Sequence, residues 1–206
     1  MGVEGILSVT PYYNKPTPEG LYLHYKAIAA AVSLPVMLYN VPRRTGTNID
    51  PATLKRLAEI DNIIGVKEAS GDMSQIAVIL GQVREEFLVL SGDDSLALPT
   101  IALGGCGVIS VVSNQIPADM TQLVRFALDG NFEAARPLQR KYLPLMEMNF
   151  VESNPGPVKA AMAAMGLLEP VWRLPLCAPR AENQERIRRV LESLGLLGGV
   201  HAAKAN

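Results

Sequence analysis

Cysteine is nearly absent from this chain, with two residues, Cys106 and Cys177, among 206. A disulfide framework needs more, and neither residue has metal-ligand spacing, so both read as small buried hydrophobes in a reducing compartment. Histidine is as scarce: His24 falls inside a helical pattern and His201 in the tail, with no companions that would make either a ligand or a base. There is no surplus of charge of either sign. Nineteen basic residues against 20 acidic ones leave a net charge of -1, no footprint for nucleic acid or an anionic membrane surface. Apolar runs stay short of the roughly 20 residues that a membrane span requires. Met1 to Val9 also lacks the basic region and long apolar stretch of a secretory leader. These absences lead to the expectation of a cytoplasmic protein that handles a small molecule.

What the chain does have is apolar material, 49% of its residues, enough for one sizeable core. Short apolar runs at Gly5 to Thr10, Pro35 to Val41, Ile63 to Ala69, Phe87 to Ser91 and Gly107 to Val112 read as buried parallel strands. Between them Pro18 to Val32, Pro51 to Ile60, Met73 to Val83 and Ser95 to Leu103 carry helical spacing. Alternation of this kind is that of repeated βα units, hence a parallel sheet or a (β/α)8 barrel. Strand count alone favours an open doubly wound sheet, which commonly has five or six strands. From Pro117 the pattern turns helical, over Pro117 to Asp129, Phe132 to Asn149, Pro157 to Met165 and Glu182 to Leu194, with Gly130, Gly166 and Gly195 as terminators. The expected organisation is therefore a βα region over residues 1–116, a helical region over 117–197 and a frayed tail over 198–206.

One lysine breaks the pattern. Lys67 ends Ile63-Ile64-Gly65-Val66, a run that reads as a strand buried on both faces, where an ammonium is costly. Such a site tends to lower a lysine's pKa, and a neutral ε-amine is the nucleophile that forms a Schiff base with a carbonyl compound. Other chemically capable residues fall at neighbouring strand ends. Thr10-Pro11-Tyr12-Tyr13-Asn14 follows the first strand, Tyr39 to Gly46 the second, and Ser91-Gly92-Asp93-Asp94 the fourth. This is the end at which parallel α/β folds place their active sites. The Asp93-Asp94 pair precedes an apolar run and reads as a helix N-cap, so no metal is assigned to it.

Taken in order, VTPYYN at Val9 to Asn14, YNVPRRTG at Tyr39 to Gly46, GVKEASG at Gly65 to Gly71, LSGDD at Leu90 to Asp94 and GGCGVISV at Gly104 to Val111 carry a resemblance over nearly the whole chain. The sequence resembles the 4-hydroxy-tetrahydrodipicolinate synthase family, within the pyruvate-dependent Schiff-base aldolases and lyases. The resemblance implies a (β/α)8 TIM barrel and the condensation of pyruvate with aspartate semialdehyde in lysine biosynthesis, without a cofactor. Carried over residue by residue, it makes Lys67 the imine-forming amine and Tyr39 the proton donor and acceptor beside it. Tyr13 becomes the relay tyrosine that reaches in from a neighbouring subunit of a tight dimer. Arg44 becomes the binder of the aldehyde's carboxylate, and Ile109 a backbone contact to pyruvate. An Arg followed by Thr-Gly argues for the synthase over the related sialic-acid lyases, which stand as the alternative. The family's assembly, a tetramer of tight dimers, is implied in the same way.

The chain also departs from the family pattern. The family carries about three further βα units ahead of the VTPYYN motif, including threonines that bind the pyruvate carboxylate and link the relay tyrosines. The expectation is thus a barrel shortened at its N-terminus to about five βα units plus the helical region. Its activity is in doubt, its lysine inhibition abnormal with Tyr12 the one survivor of that site, and its open sheet edges prone to self-association. A catalytically incomplete, self-associating fragment is the competing reading.

Overall fold

The computed structural model describes residues 2–197; the expectations for residues 198–206, His201 among them, lie outside the described residues. Two compact units meet in sequence between Ile109 and Ser110.

The first unit holds one parallel sheet of five strands: β1 (Ile6–Val9), β2 (Val36–Asn40), β3 (Ile63–Glu68), β4 (Leu88–Ser91) and β5 (Gly107–Val108). They lie side by side in chain order. A doubly wound sheet reverses its strand order at a switch point, whereas a barrel adds each strand beside the last. The order is that of a barrel. Helices α1 (Pro18–Ala31), α2 (Pro42–Thr45), α3 (Pro51–Ala58), α4 (Met73–Leu80) and α5 (Ala97–Ala102) connect the strands. Polar side chains set their starts: Thr17 accepts from Gly20 N, Asp50 from Thr53 N, and Asp72 from Ser74 N and Gln75 N. Pro18 and Pro51 stand at first-turn positions, where a missing N–H costs nothing.

Alternation along the strands divides their side chains between two faces. One face meets the helices: Val36 and Leu38 of β2, Ile63 and Val66 of β3 and Val89 of β4 pack with Leu21, Tyr25, Leu54, Leu57 and Ile79 in the main core, Ile63 and Val66 sharing that face because the register shifts by one residue opposite Val36 and Met37. Tyr25 is fully buried there, and its hydroxyl donates to the carbonyl of Ser8. The opposite face carries a row in register, Val9, Tyr39, Lys67 and Leu90, one residue from each of four strands. The reading of β3 as buried on both faces is corrected: Ile64 and Lys67 are only half-buried. At the β1 edge Leu7 and Val9 are 50% and 39% exposed.

Two further departures have local causes. The run from Gly107 to Val112 is a strand only to Val108; the Ile109 N–H still bonds to β4, and a 3₁₀ turn follows over Val112–Asn114. The segment Ser95 to Leu103 starts as a 3₁₀ turn, Asp94–Leu96, before α5. The cysteines, expected inside, are both exposed: apolar neighbours in sequence do not bury a residue placed at a loop end.

The second unit is helical, with α6 (Pro117–Leu128), α7 (Phe132–Met148), α8 (Gly156–Ala164) and α9 (Ala181–Ser193). The glycines expected to stop helices do so in the left-handed region, Gly130 at φ 73°, Gly166 at 76° and Gly195 at 69°. Asn149 donates to Gln115 inside this unit, and Glu152 accepts from Arg180 N and Asn183. No helix among the described residues is long and apolar enough to cross a membrane.

Candidate active site

The register of β2 on β3 sets the site. Tyr39 pairs with Lys67 across the ladder, both on the face away from the helices, and the Lys67 Nζ lies 4.2 Å from the centre of the Tyr39 ring. Next along, Val41 leads into the single turn α2, whose Gly46 closes it at φ 71° by donating its N–H to the Pro42 carbonyl. That turn holds Arg44 close enough to act electrostatically on both Tyr39 and Lys67. Thr10 at the end of β1 donates its hydroxyl to Thr45, which with Thr47 folds the Arg44 loop against the first strand end.

Electrostatics follow from this placement. Half-burial is the main influence on Lys67 and lowers its pKa below that of an ordinary lysine; Arg44 lowers it further, and Asp94 opposes. Burial also raises the Tyr39 phenol, with Arg44 pulling it partly back. Asp94 itself is buried in the 3₁₀ turn after β4, while Asp93 caps that turn, accepting from the Ser95 N–H and hydroxyl. The cap expected for the Asp-Asp pair is therefore made by its first member. Among the described residues no three or more acidic, histidine or cysteine side chains are grouped so as to hold a metal ion.

The remaining residues singled out in the sequence are placed differently. Ile109 follows β5 and donates its N–H to the Ser91 carbonyl at 2.8 Å, which fixes that strand end beside the others. Tyr13 is 93% exposed at φ 71°, and it is not among the groups that influence Lys67 or Tyr39. The structure thus brings together Lys67, Tyr39 and Arg44 and leaves Tyr13 facing outward. Sequence reasoning missed the glycine beside them. A Cβ on Gly92 would stand 2.7 Å from Ala69 Cβ, 3.1 Å from Lys67 Cε and 3.2 Å from the Glu68 carbonyl. Gly92→Ala is expected to push the Lys67 stem from its place and to slow acylation of its amine about tenfold, read against the other lysines by peptide mapping.

A family profile, described as the dihydrodipicolinate synthetase family, matches residues 1–194. The chain belongs to this family. It is 53% identical over 203 residues to the 4-hydroxy-tetrahydrodipicolinate synthase of Koribacter versatilis, a match covering 98% of this chain and 68% of the relative. Among solved structures, dihydrodipicolinate synthase from Thermotoga maritima superposes with a TM-score of 0.92 at 46% identity, over 95% of this chain and 68% of that one. The Acinetobacter baumannii enzyme, solved in complex with pyruvate, gives a TM-score of 0.92 at 44% identity, over 95% and 67% of the two chains. Membership of the dihydrodipicolinate synthetase family makes the sheet part of a (β/α)8 barrel architecture, as its strand order indicates, and the chain spans about two thirds of these relatives.

Proposed function

We propose that this chain condenses pyruvate with aspartate semialdehyde through an imine at Lys67. The observation that carries the reading is the pairing of Lys67 with Tyr39 at adjoining strand ends, the amine 4.2 Å from the phenol ring and Arg44 acting on both. Relatives named for this synthase, and one solved with pyruvate, support it.

In the proposed reaction the neutral Lys67 amine adds to the pyruvate ketone, and the resulting carbinolamine loses water to give the imine. Loss of a methyl proton leaves an enamine, whose carbon attacks the semialdehyde carbonyl. The aldehyde oxygen takes up a proton, and the semialdehyde's own amine closes onto the imine carbon and expels Lys67. Tyr39 sits where a phenol can pass protons to and from these oxygens and nitrogens. Arg44 offers a planar fork for the semialdehyde carboxylate. Ile109, whose N–H is given to Ser91, is assigned the backbone contact to bound pyruvate, its carbonyl accepting from the hydroxyl of the carbinolamine. The outward Tyr13 is assigned to a neighbouring subunit's site, in a homo-oligomer of the tetrameric kind, and the reaction to the cytoplasm.

Trapping tests the reading. Purified protein incubated with pyruvate and borohydride should gain one reduced pyruvate, mapped to the peptide holding Lys67, and should then turn over aspartate semialdehyde. Tyr39→Phe is expected to slow trapping about a hundredfold without preventing it, since proton transfer and not the nucleophile is lost. The exposed Leu7 and Val9 favour the second reading, a self-associating chain without a working site. Soluble protein that never forms the adduct, at any pyruvate concentration, would establish that reading instead.

A further inference from the structure

Behind the Lys67 and Tyr39 pair, on the face that meets the helices, lies a buried polar chain. Asn40 follows Tyr39 and Glu68 follows Lys67, so the two are register partners on the opposite face of the same two strands. They are 0% and 1% exposed. The Asn40 Nδ2 donates to Glu68 Oε2 and to Asn48 Oδ1, both at 2.9 Å, and Asn40 Oδ1 accepts from Ile49 N at 3.0 Å. Glu68 Oε1 accepts from Ser70 N at 2.7 Å. Asn48 and Gln75 exchange amide hydrogen bonds at 2.8 and 3.2 Å, which carries the chain outward to the start of α4.

A carboxylate in an apolar wall is expensive unless its oxygens are satisfied. Burial pushes the Glu68 carboxyl above its usual range, and the donors from Ser70, Asn40 and Gln75 pull it back. A leucine would pack this position without that cost. What the carboxylate adds is direction. Through Asn40 it grips Ile49 and Asn48 at the far end of the loop that carries Arg44, and through Ser70 it fixes the turn just after Lys67. Tyr39 and Lys67 are then each one peptide away from a clamped side chain, and Arg44 lies on the loop whose far end is held.

We propose that Asn40 and Glu68 are positioning residues, a donor and acceptor pair that sets the spacing of Tyr39, Lys67 and the Arg44 loop from behind the sheet. The proposal rests on the reading of Lys67 as the imine-forming amine. The polarity of the pair is fixed from outside: because Ile49 N–H claims the Asn40 oxygen, its amide nitrogen must face Glu68. Glu68→Gln sets an amide NH2 against either Asn40 Nδ2 or Ser70 N–H, donor on donor. Asn40→Asp sets oxygen against oxygen. Asn40→Asp with Glu68→Gln restores complementarity: the introduced carboxylate accepts from Ile49 N–H and from the introduced amide, whose oxygen accepts from Ser70 N–H. Asn48 and Gln75 need only turn their amides over.

The experiment compares the native chain, the two single variants and the double variant at a temperature where all are folded. Three quantities are read: thermal midpoint, rate of pyruvate and borohydride trapping, and rate of Lys67 acetylation by acetic anhydride against the other lysines. The single variants should slow both Lys67 reactions about tenfold, and the double variant should return to within about threefold of native. Single variants with lower midpoints but native Lys67 rates would overturn the proposal and leave the pair a plain stabiliser. A double variant no better than the singles would overturn it as well. Acetylation needs no pyruvate, so a native chain that forms no imine while its acetylation follows the predicted pattern refutes the proposed reaction and upholds the positioning role. Should a single variant fail to fold, Asn48→Ala and Gln75→Ala, at the outer end of the chain, take its place. They are expected to slow both rates about threefold, and unchanged rates would overturn the proposal.

Discussion

Replacing Lys67 with alanine is expected to abolish the borohydride-trapped pyruvate adduct completely, while the protein keeps its fold. The reaction needs an amine with a lowered pKa that is held against a proton donor. At Lys67 half-burial and Arg44 prevail over Asp94 and depress the pKa. The need for a donor is met by Tyr39 beside it. The sign of the shift gives a second expectation. In the native chain, acetylation of Lys67 should reach its plateau at a lower pH than that of an ordinary lysine side chain. A base whose folded pKa is depressed favours folding fully above its unfolded value, and that contribution is lost as pH falls through the lowered one. Lys67→Ala should therefore hold its thermal midpoint better than the native chain on acidification across that window. An adduct that persists in Lys67→Ala would move the chemistry to another amine.

Gly65→Ala is expected to cost about 3 kcal/mol of stability, the largest loss from any one added methyl in the sheet. Gly65 pairs with Leu88 across β3 and β4. A Cβ there would lie 2.4 Å from the Leu88 carbonyl oxygen and 2.7 Å from its Cβ. A side-chain tip could swing aside, but a carbonyl in a ladder cannot move without loosening the strand pair. The damage would spread to the site, because Lys67 and Leu90 are partners further along the same two strands. Denaturant unfolding measures the loss; a change below about 0.5 kcal/mol would show that the pair is less rigid than this geometry requires.

The architecture was legible because strand and helix announce themselves by local period. Four of the five runs read as strands match β1 to β4 within a residue or two at either end. The fifth was overextended, since Ile109 to Val112 is as apolar as a strand and only the backbone path shows the departure. The one-turn α2 went unseen inside the YNVPRRTG motif, although a proline at its first position and a glycine just past its end were the available signal. Lys67 could be singled out because a charge ending an apolar run is a local contradiction. Its partnership with Tyr39 rested on resemblance alone, and the link of Asn40 to Glu68 had no signal at all: it joins residues 28 apart that share no motif. Strand ends become neighbours only when the sheet forms. The cysteines failed for the converse reason, since burial depends on where a segment lies and not on what flanks it.

The side-by-side placement of Lys67 and Glu68 on opposite faces of β3 makes the site a matter of parity. A slip of β3 by one residue would turn the ammonium into the helix-covered core and the carboxylate out to where pyruvate would bind, failing as structure and as chemistry in the same step. Correct register is therefore enforced by the very residues that need it, and an insertion or deletion of two residues within β3 should be better tolerated than one of a single residue.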